Sequence, residues 1–281
     1  MMSKLELVEQ RLAVIDDIVN DDTPVNRPQK WIVGVDLGTA DIQTVVIDGE
    51  GQPIAAFLDW ANVVKDGIVV DYMGACQIVR SQIKRVEEKL GVTVESAITS
   101  YPPGTDPRIS INVVESAAVE VERVIDEPSS VADLLDIKDG AVVDIGGGTT
   151  GTAVIKDGEQ VYSLDDPSGG RHVSLVIAGR LKVDDQEAER LKRTSYENND
   201  IAIIVKPVIE KMADIVMSHI KDETPTHMYL TGGGTLVNGV NKIFSTAFPR
   251  TEIVTFKHAL YLTPLAIANY GLGTVEHRVM E

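Results

Sequence analysis

The stretch Asp144-Ile-Gly-Gly-Gly-Thr-Thr-Gly-Thr-Ala-Val-Ile-Lys-Asp157-Gly158-Glu-Gln decides how this chain is read, because it rewrites an earlier phrase. That phrase is Asp36-Leu-Gly-Thr-Ala-Asp-Ile-Gln-Thr-Val-Val-Ile-Asp48-Gly49-Glu-Gly-Gln. Each copy ends a hydrophobic run with an Asp, turns on Gly and Thr, continues as a β-branched run, and turns again on Asp-Gly. The pattern predicts one β-hairpin in each half of the chain. The second copy reads as carrying an extra Gly in its first turn. Such a turn offers backbone N–H groups, hydroxyls and a carboxylate, which suits phosphate and metal. Two of them, one per half, predict a nucleotide held between two related domains.

Outward from these phrases, hydrophobic strands alternate with helical patterns. In the first half, strands are expected at 31–36, 42–48, 53–60, 97–101 and 121–125, with the short run Ile68-Val69-Val70 after an Asp66-Gly67 turn. Helices are expected at 72–90, closed by Gly91, then from Asp106-Pro107, and from Pro128 to about Leu135. In the second half, strands are expected at 141–145, 151–156, 159–164, 228–231 and 252–255. Helices are expected at 169–181, 184–194, 200–220, from Leu236, and at 263–269. Short hairpin connections force antiparallel pairs and intervening helices allow parallel ones, so both sheets are mixed. The repeat gives both α/β domains one topology.

The chain has 281 residues, enough for two domains of ordinary size. With 43 acidic against 26 basic residues the net charge is −17, and no Lys/Arg cluster is present. That excludes nucleic acid and anionic membrane as partners. Cys76 stands alone and reads as a small core residue. No signal peptide or 18-residue apolar run is visible, which predicts a cytoplasmic protein. His172, His219, His227, His258 and His277 lack metal-ligand spacing.

Gly146, Gly147 and Gly148, following a buried strand, let backbone N–H groups approach an anion; an ordinary Gly-rich hairpin is the alternative. Asp144 at the strand tip needs a partner, and a hydrated Mg²⁺ would serve. Thr231-Gly-Gly-Gly-Thr235 opens a helix and suits a flat ring or a phosphate; a plain helix-entry turn is the alternative. Glu127-Pro128 ends a strand and starts a helix, where an acidic residue already favours the helix dipole.

In that order, Asp-Leu-Gly-Thr, Glu-Pro, Asp-Ile-Gly-Gly-Gly-Thr-Thr-Gly and Leu-Thr-Gly-Gly-Gly resemble the motifs of the actin/DnaK/sugar-kinase ATPase superfamily over roughly residues 30–275. Lys65-Asp-Gly-Ile-Val-Val-Asp-Tyr and Pro264-Leu-Ala-Ile-Ala-Asn-Tyr-Gly-Leu-Gly resemble its DnaK and MreB branch. Within it, the whole compact chain resembles the EutJ family of ethanolamine utilisation, which is chaperone-like and accompanies bacterial microcompartments. The resemblance implies two related actin-like (ribonuclease H-like) domains with mixed five-stranded sheets, a nucleotide cleft between them and reduced insertion subdomains. It implies an N-terminal helix and linker over 1–30, one domain over 31–139, and a second over 140–275 whose last helix, near 263–272, returns to the first. A tail covers 276–281.

The resemblance also implies ATP or ADP with Mg²⁺ as cofactors. Asp36, Gly38 and Thr39 correspond to the first phosphate loop, and Asp144, Gly146, Gly147, Gly148 and Thr149 to the second. Asp36 and Asp144 hold the metal, and Glu127 orients or deprotonates the attacking water. Gly232, Gly233 and Gly234 correspond to the adenosine loop, and Ser168-Gly169-Gly170 to the turn after the second hairpin. Glu189 and Lys192, three apart on one helix face, contact ribose and adenine; a surface ion pair is the alternative. Weak ATP hydrolysis follows, with ethanolamine-utilisation enzymes or microcompartment shell proteins as partners. An MreB- or PilM-like filament or scaffold and a small-molecule kinase are the other functions the fold allows.

Only about fifteen residues separate Asp48-Gly49 from Lys65, where DnaK and MreB insert a subdomain. That region carries the DnaK lysine for the terminal phosphate; the sequence shows no convincing counterpart, Lys65 being the nearest to one. Residues 3–19 place Leu5, Val8, Leu12, Ile15 and Val19 on one narrow stripe, followed by a proline-containing linker. Such a helix either tethers the chain to a microcompartment or packs on the ATPase body.

Overall fold

The computed structural model describes residues 3–65, 68–221 and 223–273. The expected Asp66-Gly67 turn, the tail at 276–281 and the side chain of Lys65 lie outside what is described. The chain forms two compact units, 1–136 with 261–281, and 137–260.

In the first unit, β1 (Trp31–Leu37), β2 (Asp41–Asp48), β3 (Pro53–Trp60), β6 (Ser96–Tyr101) and β7 (Glu120–Asp126) form a sheet ordered β3-β2-β1-β6-β7. β1–β2 and β2–β3 are antiparallel, and β1–β6 and β6–β7 parallel. Among the described residues, the ribbon of β4 (Val64–Lys65) and β5 (Ile68–Val69) lies between β3 and the next helix. Helices α2 (Tyr72–Leu90) and α3 (Pro107–Glu115) cover one face, burying Ala75, Val79, Ile83, Val86, Val113 and Val114 against Val33, Val35 and Leu37. Gly91 ends α2 in the left-handed region at φ 62°, where glycine is unstrained. Helix α4 (Glu127–Leu135) follows β7 directly.

Helix α1 (Lys4–Ile18) opens on a Ser3–Glu6 capping box. Its Val8, Leu12 and Ile15 are at most 1% exposed. Arg11 Nη2 donates to the Glu50 carbonyl at 2.6 Å, and the Asn20 N–H donates to Ala56 of β3 at 2.9 Å. Beyond it, Lys89 pairs with Asp21 at 3.2 Å and Arg85 with Asp22 at 2.8 Å, pinning the linker. The stripe therefore packs on the body. Of the two readings of this helix, the structure shows packing on the body, where burying three large aliphatic side chains stabilises docking by about 1.5–3 kcal/mol each.

The second unit repeats the plan. β8 (Gly140–Ile145), β9 (Thr150–Lys156), β10 (Glu159–Asp166), β11 (His227–Thr231) and β12 (Glu252–Thr255) are ordered β10-β9-β8-β11-β12, with the same parallel and antiparallel pairs. Helices α5 (Gly170–Leu181), α6 (Asp185–Arg193), α7 (Asn199–Ile220) and α8 (Val240–Ala247) accompany it. Val173, Ile177, Val205, Ile209, Val216 and Phe244 bury one face of the sheet. α9 (Leu262–Tyr270) belongs to the first unit, where Ala268 crosses β1 so closely that a Cβ on Gly34 would sit 2.5 Å from its nitrogen.

Register corrects one reading of the repeat. Leu37 pairs with Ile42 and Ile145 with Thr150, so both first turns span four residues, 38–41 and 146–149. The copies differ in length at the second turn instead, and there the first copy is the longer. Asp157 and Gly158, both at positive φ, form a two-residue turn between Lys156 and Glu159, whereas the turn at Asp48-Gly49 runs on to Gly51. The second correction concerns Leu236. Residues Gly233–Leu236 form a 3-10 turn, and α8 starts at Val240 after Gly239.

Candidate functional site

In the first unit the carboxyl ends of three neighbouring parallel strands carry Asp36, Ser100 and Asp126, the edge where open α/β sheets hold ligands. Asp36 is 8% exposed, and Ser100 Oγ donates to its Oδ1 at 3.3 Å. A Cβ on Gly38 would meet the Asp41 carbonyl oxygen at 2.8 Å, so the tight turn needs glycine there. Asp41 is also buried and accepts from Gln43 Nε2 at 2.8 Å. Thr39 lies half-buried between them. Asp126 caps α4, accepting the Ser129 N–H at 3.2 Å, and puts half-buried Glu127 in the first turn with Pro128 behind it. The helix dipole favours an ionised carboxylate at that position.

In the second unit Asp144 ends the middle strand at 8% exposure. Gly146 N–H donates to the Thr149 carbonyl at 3.0 Å and closes the loop. The start of α5 seals it from below: the N–H groups of Gly170 and Arg171 donate to the carbonyls of Gly146 and Gly147 at 2.9 and 2.7 Å. A Cβ on Gly169 would lie 2.7 Å from Gly146 O, Gly148 C and Thr149 N. On the other side, Gly232 (φ 85°) approaches so closely that a Cβ would fall 2.2 Å from Asp144 Oδ1. Gly234 is equally confined, by the Ile145 side chain at 2.4 Å. Gly233 meets only Leu260, at 3.0 Å. These glycines are the space that lets two loops pack on one carboxylate.

Glu189 and Lys192 pair at 2.7 Å, and Lys192 Nζ reaches the Gly170 carbonyl at 3.4 Å, next to the loop. Ser174 Oγ and Arg193 Nε also donate to Glu189, at 2.7 and 2.8 Å. Burial raises the Glu189 carboxyl, but Lys192 and these hydrogen bonds outweigh it and hold it below its ordinary value. The pair is an ion pair anchored to the loop's base, more than a surface decoration.

The structure thus gathers Asp144, Gly146–Thr149, Glu189, Lys192 and Gly232–Gly234 in one unit, and Asp36, Gly38 and Thr39 in the other, with Glu127 on the same sheet edge as Asp36. Asp165 went unread in the sequence. It lies on β10, where burial first, then the charges of Asp144 and Asp166, push its carboxyl up to about 7 against a hydrogen bond from Thr149. Among the described residues no three His, Cys, Asp or Glu side chains are grouped to hold a metal, and no helix is long and apolar enough to cross a membrane.

This doubled sheet, with a hairpin turning on Gly and Thr at the middle strand of each copy, is the fold of the actin-like ATPases. The family model of the cell division protein FtsA matches residues 141–266. The chain is similar in fold alone to MreB 5 of Spiroplasma citri, solved bound to AMPPNP: TM-score 0.72, 16% identity, covering 90% of this chain and 98% of that one. It is 48% identical over 266 residues to the ethanolamine utilization protein EutJ of Escherichia coli K12, covering 95% of each. The crystal structure of EutJ from Carboxydothermus hydrogenoformans superposes at TM-score 0.88 with 45% identity, covering 94% of this chain and 99% of that one. The chain belongs to the EutJ family of ethanolamine utilization proteins.

Proposed function

We propose that the chain binds ATP and ADP with Mg²⁺, hydrolyses ATP slowly, and acts as a chaperone-like or assembly factor in ethanolamine utilisation and its microcompartment. The observation that carries this reading is the pair of four-residue hairpin loops in matching register, each following a buried Asp at the tip of a middle strand. Its support from relatives is the nucleotide bound by a protein of the same fold.

The residues present fit a metal nucleotide. Gly232 has no side chain to obstruct Asp144, and Asp36 and Asp144 supply hard oxygen donors at both loops. Mg²⁺ takes one or two carboxylates and leaves its other positions to phosphate and water, so a protein cage is not needed. The metal would neutralise charge on the terminal phosphates. When a metal nucleotide is bound, the loop N–H groups would take phosphate oxygens, Asp36 and Asp144 would supply carboxylates to the hydrated ion, and Glu127 would be the group to accept a proton from water. Lys192 and Glu189, with the Gly232–Gly234 loop, would hold the sugar and base. Phosphoryl transfer depends on positioning, and a sequence with no convincing lysine for the terminal phosphate is expected to turn over slowly.

Calorimetric titration with Mg-ATP and Mg-ADP, then a phosphate-release assay, tests the reading. Saturable binding that Asp144→Ala weakens supports it; wild-type affinity in that variant removes the assigned site. The likeness to MreB 5 favours a filament or scaffold as the second reading, and ATP-dependent pelleting on ultracentrifugation would promote it above the first. A pull-down from cells growing on ethanolamine identifies the enzyme or shell partner.

A further inference from the structure

Asp165 stands outside the motifs from which the site was built. Asp144 pairs with Gly151 on β9, and Gly151 with Asp165 on β10. Residues opposite one another on adjacent strands share a face, so the two carboxylates flank a position that has no side chain. The Thr149 hydroxyl donates to Asp165, which commits the last donor of the loop and leaves backbone N–H groups for phosphate. The first unit differs at each of these places: its row is Asp36, Gln43 and Leu58, and its turn ends on Asp41, held by the Gln43 amide.

We propose that Asp165 makes the second loop selective for the metal complex of a nucleotide over the bare phosphate chain. It does so by setting a second carboxylate beside Asp144 across Gly151. The inference rests on the nucleotide reading above. Two carboxylates on one face of the sheet repel an unaccompanied polyphosphate, and a divalent cation with its water shell reverses that sign. Thr149 holds the Asp165 carboxylate in place, and the side-chain-free Gly151 leaves room for coordinated water.

Titration of a fluorescent ADP analogue in excess Mg²⁺ and in EDTA, for wild type, D165N and D165A, tests it. The readout is the ratio of the two dissociation constants. The wild type is expected to favour the Mg²⁺ form, and D165N to cut that preference about tenfold, within the usual range of coupling between two ligands. Asn keeps an acceptor for Thr149, so D165N separates charge from the hydrogen bond. D165A is expected to lose the preference as well and to weaken both forms through the freed Thr149. A wild-type ratio in D165N overturns the proposal and leaves Asp165 as a support for Thr149 alone. A wild type that binds both forms equally also overturns it, with the nucleotide reading intact. Wild type that binds neither form removes the nucleotide reading, and the proposal falls with it.

Discussion

At the tip of β1–β2 the chain sets Asp36, Gln43 and Leu58 side by side, and at the tip of β8–β9 it sets Asp144, Gly151 and Asp165. The two hairpins share strand order, turn length and the buried Asp. They differ in what fills the neighbouring strands. The first packs its row with side chains, and Ser100 donates to its Asp. The second leaves its row open, seals its loop below with the start of α5, and brings Gly232 against its Asp. On the proposed reading, the same backbone serves one loop as a metal-side clamp and the other as a phosphate cradle whose own carboxylates restrict it to the metal complex.

The units also differ in outer support, and the largest expected effect lies there. Edge strand β3 is covered by α1, whereas its counterpart β10 keeps Val161 51% and Leu164 37% exposed. Leu12→Ala, at a fully buried position, should cost about 2–5 kcal/mol in denaturant unfolding. A change within about 0.5 kcal/mol would mean that α1 does not dock on the first unit in solution. Next is Gly232→Ala. Its Cβ has no room beside Asp144, and its backbone stays at positive φ, so a loss of roughly 2–4 kcal/mol is expected, read as a lowered Tm. The same change at Gly146, whose Cβ would meet only the Thr149 carbonyl at 3.7 Å, should cost markedly less stability.

Paired substitutions then test the division of labour. Asp144→Ala should weaken Mg-ADP binding about 100-fold, and Asp36→Ala about tenfold, with Asp36→Ala losing mainly the Mg²⁺ dependence. Equal losses with equal Mg²⁺ dependence would erase the distinction between clamp and cradle.

The smallest effect is one of pH. The Asp165 carboxyl is raised on folding from its ordinary 3.8 to about 7. Between those values the folded chain binds more protons than the unfolded one, so its stability falls as pH rises and levels off above about 7. In the absence of nucleotide, the fall in Tm from pH 5 to pH 8 should be smaller for D165N than for wild type. Identical profiles would show that Asp165 ionises normally.

Much of this was legible from residues alone. β-Branched runs and Asp-Gly or Gly-Thr turns marked both hairpins, and Gly91, Asp106-Pro107 and Pro128 marked helix ends, because those signals act over a few residues. Register was not legible. A difference in length could lie in either turn, and only cross-strand pairing placed it at the second, where the turn after Asp48 is longer than Asp157-Gly158. The start of α8 was misread since Thr235 and Leu236 look like a helix entry, while tight packing of Gly234 on Ile145 forces a 3-10 turn first. Docking of α1 depended on a groove that its own stripe cannot reveal. Asp165 was missed for the same reason: its meaning comes from Gly151 lying between it and Asp144, a relation across three strands. An alignment of the two halves that paired Gln43 with Gly151 and Asp41 with Thr149 would have drawn attention to it.

The central claim, that the matched loops hold a metal nucleotide, is tested most directly by calorimetry of Mg-ADP against wild type and Asp144→Ala side by side. The account predicts one saturable site per chain in the wild type and a loss of about 100-fold in affinity in the variant, with its Tm preserved. Absence of binding in the wild type, or equal affinity in a folded variant, would contradict it.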